Sequence, residues 1–299
     1  MRVVKVLCIA TLMGGGTFMV PQTSSAQTPE VVDSYPKQRL KERAARRKAA
    51  AAASAAGLLD MVAINPGQGR LGSPETQARR ARFENPMRET SIDYAFEVSK
   101  YEITFADWDK CLADGGCGGY QPADGGWGRG QRPVINISYD DAQNYIKWIN
   151  RKTGLNYRLL SEAEWEYVAR AGRPAPFGNG EHISAKYANF DGKKPYGTDE
   201  VGPYHRKTQP VGKYEANAFG VHDMHGNVYE WVEDCWNENH SGADGTGQAR
   251  RDGDCKYRVM KGGSWVTHGY QMRAAARVRY VTDYRYDDYG FRLARTLRN

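Results

Sequence analysis

The chain has 299 residues, 40% of them hydrophobic and 26% charged, which suits one large packed domain or two small ones and excludes wholesale disorder. Its 42 basic and 35 acidic residues leave a net charge of +7, and no nucleic-acid partner is expected.

The first 26 residues read as a secretory signal peptide. Arg2 and Lys5 precede an apolar run from Val6 to Val20, and Ser24-Ser25-Ala26 places small residues before a predicted cleavage after Ala26. The run is shorter than the roughly 20 residues that span a bilayer. Cys8 lies inside it without a lipobox pattern, so no lipid anchor is expected. Without Arg2 and Lys5 the charge falls to +5, and the exported chain is expected in the periplasm or secreted.

Residues 27–58 read as a disordered start followed by a helical linker rich in Ala, Lys and Arg. With basic residues on most sides and no wide apolar stripe, that helix is a solvated spacer or touches an anionic envelope surface. A domain over 59–299 follows. Four cysteines remain there, Cys111, Cys117, Cys235 and Cys255, and an even count in an exported chain implies two disulfides. Three connectivities are open. Cys111–Cys117 and Cys235–Cys255 are favoured because each closes a loop around a Gly- and Asp-rich segment. None has the spacing of a zinc or thioredoxin-type site.

Three helices are predicted. Thr104 caps a short one carrying Phe105, Trp108 and Leu112. Ser138 starts a second, with Ala142, Tyr145, Ile146 and Ile149 on one face and Gly154 as its stop. Ser161-Glu162-Ala163-Glu164 is a capping box for a third, with Trp165, Val168 and Ala169 inward and Gly172 beyond. Short strands are predicted at Pro210–Tyr214, Val228–Val232, Tyr257–Lys261, Met272–Tyr280 and Phe291–Arg295. Helices first and loop-linked strands after point to an α+β domain.

Five ordered blocks carry more. They are Lys100-Tyr101-Glu102-Ile103-Thr104, then Arg132–Ser138, Arg158–Tyr167, Gly220–Trp231, and Lys261-Gly262-Gly263-Ser264-Trp265 followed by Arg273, Arg277 and Gly290-Phe291-Arg292. Together they resemble the formylglycine-generating enzyme (sulfatase-modifying factor) family over about Asp60 to Arg295. The resemblance implies an irregular, loop-rich α+β fold, a variant of the C-type-lectin-like fold. Trp165, Trp231 and Trp265 read as core anchors beneath its loops.

The family's oxidase chemistry uses two cysteines after the Gly-Gly-Ser motif to bind copper and activate oxygen. Here that stretch runs from Ser264 to Arg273 without a cysteine, and Thr267 stands where the first would be. Tyr270 or Gln271 is nearest the second. A hydroxyl cannot replace a thiolate on Cu(I), and His268 with Met272 is too small a set for copper. Formylglycine formation is therefore not expected.

Calcium is expected instead. The resemblance implies a site using the Asp223 side chain, the Gly226 and Val228 carbonyls and the Glu230 carboxylate, an all-oxygen set. Asp223 replaces the family's more usual neutral amide. A second site would use Asn189 and the Phe190 carbonyl, with Asp191 and Asp199 as donors in a loop, 191–208, that departs from the pattern. His222 and His225 read as locally hydrogen-bonded rings rather than a metal pair.

Two functions from different classes follow. One is a divergent oxidoreductase acting on a peptide-like substrate or secondary metabolite, since some exported members without the cysteines mature such compounds. Its cleft would be lined by Ser264, Thr267, His268, Tyr270, Arg273 and Arg277, with His268 as acid or base. The other is a non-catalytic ligand- or protein-binding module.

Overall fold

The computed structural model describes residues 58–297. The predicted signal peptide, and all of the predicted linker but Leu58, lie outside the described residues. No described helix is long and apolar enough to cross a membrane.

Helices α1 (Phe105–Ala113), α2 (Tyr139–Thr153) and α3 (Glu162–Arg170) form where hydroxyl caps begin them. Thr104, Ser138 and Ser161 each accept the N–H of the residue three positions on. That residue's carboxylate accepts the cap's own N–H in return. Gly154 ends α2 at φ 67°. The end of α3 falls one residue before Gly172, on Ala171 at φ 46°.

Among the described residues, ten short strands build three sheets. β1 (Met61–Ile64), β4 (Phe96–Ser99), β10 (Ala294–Thr296) and β5 (Tyr157–Arg158) form one antiparallel sheet in the order β1-β4-β10-β5. It clasps the two ends of the domain together. β2 (Gly67–Leu71) and β3 (Arg88–Ile92) form an antiparallel pair. β8 (Val278–Val281), β7 (Asp254–Lys261), β6 (Tyr229–Trp236) and β9 (Tyr289–Gly290) form the third sheet in that order, with β6 and β9 parallel.

The helices-first reading needs correction, because β1 to β4 precede α1. These strands are four or five residues long, and β2 carries glycines that hide its pattern. The glycines are there for packing: a Cβ on Gly67 would meet the Tyr167 hydroxyl at 2.3 Å. Pro210–Tyr214 is a turn, not a strand. Gly212 takes φ 73° and turns its N–H onto Asp223. Met272–Tyr280 divides into a 3-10 turn, Gly269–Met272, and β8.

Trp108, Trp165 and Trp231 are buried, and each indole N–H finds an acceptor, on Tyr120 O, Glu230 Oε2 and Ile137 O respectively. α3 departs from a one-faced helix, since all nine of its residues are buried, its three glutamates and Arg170 included. Burial at that level requires paired charges. Glu164 is bidentate to Arg158 at 2.6 and 2.7 Å, Glu166 meets Arg170 and Lys261, and Glu162 meets Arg277 and Lys261.

Both favoured disulfides are present, Cys111–Cys117 between the end of α1 and the turn after it, and Cys235–Cys255 between β6 and β7. They close loops of 6 and 20 residues of sequence separation and so restrict the unfolded chain.

Candidate functional site

The stretch after Gly262-Gly263 forms a tight polar corner. Ser264 N–H donates to Thr267 Oγ1 at 2.9 Å, and that hydroxyl donates back to Ser264 O at 2.9 Å. Thr267 thus closes its own turn. Ser264 Oγ donates to Asp288 Oδ2 at 2.7 Å, while Asp288 Oδ1 is buried without a hydrogen-bond partner. Burial pushes the Asp288 carboxyl up to about 6, with the Ser264 hydroxyl pulling the other way. Burial also raises the Tyr229 phenol, and the Asp288 charge adds to that. Trp265 walls the corner, its Nε1 donating to Asp287 O and its ring meeting Trp127 edge-on at 5.3 Å.

His268 and Tyr270 sit together on the following turn, ring centroids 5.9 Å apart. The two arginines do not line a cleft with them. Arg273 is 1% exposed and bidentate to Glu84 at 2.7 Å on both arms, and it also donates to Tyr270 O and Arg79 O. Arg277 donates to Glu162, Phe83 O and Asn237 O and stacks 4.4 Å over Trp236. Buried guanidiniums need such partners, and side chains so buried and paired are committed to the fold rather than open to a substrate. The structure therefore brings Ser264, Thr267, His268 and Tyr270 into one segment and assigns Arg273 and Arg277 to the packing beneath it. Met272 is fully buried in an apolar cluster with Phe177 and Phe190.

The 223–230 block is the electrostatic centre of the domain. Glu230 is bidentate to Arg292 at 2.7 Å and also accepts the Trp165 indole N–H at 2.6 Å. Asp223, at φ 56°, accepts the Gly212 N–H. Glu102 accepts from Asn227 Nδ2 and Val228 N. Burial holds Glu102 well above the usual carboxylate range, and the neighbouring Asp223 and Glu230 charges add to it. Burial likewise raises Asp223, against the pull of the Gly212 N–H and Arg292. Glu102 and Glu230, both buried, and the half-buried Asp223 thus share one guanidinium, an excess of oxygen donors of the kind a hard divalent cation takes. Of the residues in the implied set, Glu230 is the most committed to other partners.

The second implied set fits on another ground. Asn189 donates to Lys207 O and Asn227 Oδ1, and its own Oδ1 is buried without a partner, an acceptor facing no donor. Asp191 caps its own turn through Lys193 N, and Asp199 is exposed. His222 and His225 are locally bonded. His222 Nδ1 meets Tyr214 O at 2.8 Å, and His225 Nδ1 meets Met272 O at 2.7 Å. His225 Nε2 accepts the Gly178 N–H, and burial brings this ring down to about 4, so it is neutral near pH 7.

A cleft of about 530 Å³ has a different lining. Asp223, Met224 and His225 reach its wall, but none of the six predicted cleft residues does.

Short strands, three capped helices and long connections over a tryptophan-anchored core define a loop-rich α+β domain whose chemistry sits on its turns. The sequence pattern of the sulfatase-modifying factor enzyme 1-like domain matches residues 46–297, and the chain belongs to that family. It is 37% identical over 179 residues to the formylglycine-generating enzyme of Mus musculus, covering 56% of this chain and 45% of that one. The corresponding enzyme of Streptomyces coelicolor is 33% identical over 176 residues, 56% of this chain and 54% of that one. The chain therefore spans about half the length of these relatives. The structure of PvdO from Pseudomonas aeruginosa is 35% identical with TM-score 0.69, covering 79% of this chain and 94% of that one.

Sequence reasoning passed over Asp288, Glu102 and Glu84. Asp288 stands two residues before Gly290-Phe291-Arg292, and Glu102 lies within the first block. A carboxylate inside or just before a block otherwise built for packing was the available signal for both. Glu84 gave none, because its partner Arg273 is 189 residues away.

Proposed function

We propose that this chain is an exported, calcium-binding member of its family whose reactive corner works without thiolates and does not generate formylglycine. The observation that carries the reading is the placement of the cysteines. All four within the described residues are closed in disulfides, and Thr267, tied into its own turn, occupies the stretch where copper would need sulfur. Calcium is read from Asp223, Gly226, Val228 and Glu230 and from Asn189 and Phe190. Its support is the excess of carboxylate charge where Glu102 adjoins the first set and the partnerless amide oxygen in the second. Export is read from the first 26 residues, with the two disulfides as support.

The substrate class is a peptide-like molecule or secondary metabolite, held at the corner of Ser264, Thr267, His268 and Tyr270 as a divergent oxidoreductase would hold it. One observation favours the alternative of a binding module: the cleft of about 530 Å³ is lined by none of those four residues. The test is aerobic incubation with a sulfatase-type Cys-x-Pro-x-Arg peptide, with and without added copper, followed by mass spectrometry. The peptide should stay unchanged. Conversion of its thiol to an aldehyde would overturn the reading.

A further inference from the structure

The cleft of about 530 Å³ has a size that takes small organic ligands. Its walls are cationic. Arg173, Lys186 and Lys213 all line it, and none of them forms an ion pair among the described residues. Lys213 donates only to the neutral amide of Gln209 at 2.9 Å. Against these three stands one solvent-facing carboxylate, Glu215; the other, Asp223, already accepts Gly212 N–H and lies within reach of the Arg292 charge.

The rest of the lining is amphipathic. Lys186 rests 5.5 Å from the Tyr187 ring and Lys213 6.0 Å from the Tyr214 ring, so each ammonium stands beside an aromatic wall. Val221 and Met224, both buried, form an apolar floor. Elsewhere in this molecule buried cations are matched to carboxylates, as Arg273 is to Glu84 and Arg292 to Glu230. Arg173, Lys186 and Lys213 are exposed rather than buried, and three cations without an ion pair on one concave, partly aromatic surface give it a positive potential that attracts an anion.

We infer that this cleft is a binding site for a small amphipathic organic anion, an acid group carried on an aromatic or aliphatic body. The acid group meets Lys186, Lys213 and Arg173, and the body lies along Tyr187, Tyr214 and the Val221–Met224 floor. The site is separate from the thiolate-free corner, and its failure would leave the calcium and cysteine readings untouched.

The experiment uses the exported protein and two fluorescent probes of like shape, the anion 1-anilinonaphthalene-8-sulfonate and its uncharged counterpart N-phenyl-1-naphthylamine. The sulfonate should bind saturably at one site per chain. The Lys186→Ala/Lys213→Ala double variant should weaken it by about tenfold or more, since two charge contacts are lost, and the uncharged probe should bind weakly to both proteins. Both lysines are exposed, so the variant should fold, and near-UV circular dichroism checks this. Lys186→Glu serves as a second variant and should weaken the sulfonate further than Lys186→Ala. Equal affinity of the sulfonate for wild type and double variant, or equal binding of the two probes, would overturn the inference.

Discussion

Arg273 and Arg277, in the stretch where the family places its chemistry, are buried and paired with Glu84 and Glu162, while Arg173, Lys186 and Lys213 line the 530 Å³ cleft without an ion pair among the described residues. The two sets have the same formal charge and opposite uses. A guanidinium out of water is tolerable only when matched, and once matched it serves the fold. A cation that stays wet and unmatched keeps its charge for a ligand. Position in a family block therefore says less about function than the partners the side chain has.

The largest expected effect separates the two sets directly. Arg273→Ala leaves Glu84 buried without its partner and should cost about 3–5 kcal/mol of stability in chemical denaturation. Lys186→Ala should change stability by no more than about 0.5 kcal/mol. Equal losses would break the comparison.

Asp288 sharpens it, as a buried carboxylate with no cation of its own. Its folded value of about 6 lies above the unfolded value of about 3.9. The folded state thus holds the proton more tightly. Stability from this group is full below pH 4 and is lost as pH rises toward 6 and beyond. Asp288→Asn should therefore be more stable than wild type at pH 7.5, by up to about 3 kcal/mol, with the gap closing as pH falls to 4. A gap independent of pH would show that Asp288 is not the titrating group.

Calcium should raise stability by about 2.7 kcal/mol at a hundredfold excess over its dissociation constant, read as a melting-temperature gap between calcium and chelator. Glu230→Ala will lower stability in both conditions because Arg292 loses its partner, so the gap is the quantity to follow. It should shrink in Glu230→Ala and in Asn189→Ala. A wild-type melting temperature unmoved by chelator would remove calcium from the account.

The helices were legible because their caps are local: Ser161 and Glu164 identify each other within four residues. The disulfides were legible because each joins ends of one short loop. The first four strands were not, since Gly67 and Gly69 answer to the Tyr167 ring from α3. The corner around Thr267 was legible as a segment, but the roles of its arginines were not. Arg273 finds Glu84, and Arg277 finds Glu162, across 189 and 115 residues, and no periodicity carries such pairings.

The central claim is that this member has no thiolate to offer, and one measurement addresses it most directly. Intact mass of the purified protein from residue 27 onward is recorded before and after alkylation in denaturant without reductant. No alkyl adduct should appear, with both disulfides closed and Thr267 at the corner. Labelling of two or more thiols would leave sulfur free for copper and contradict the account.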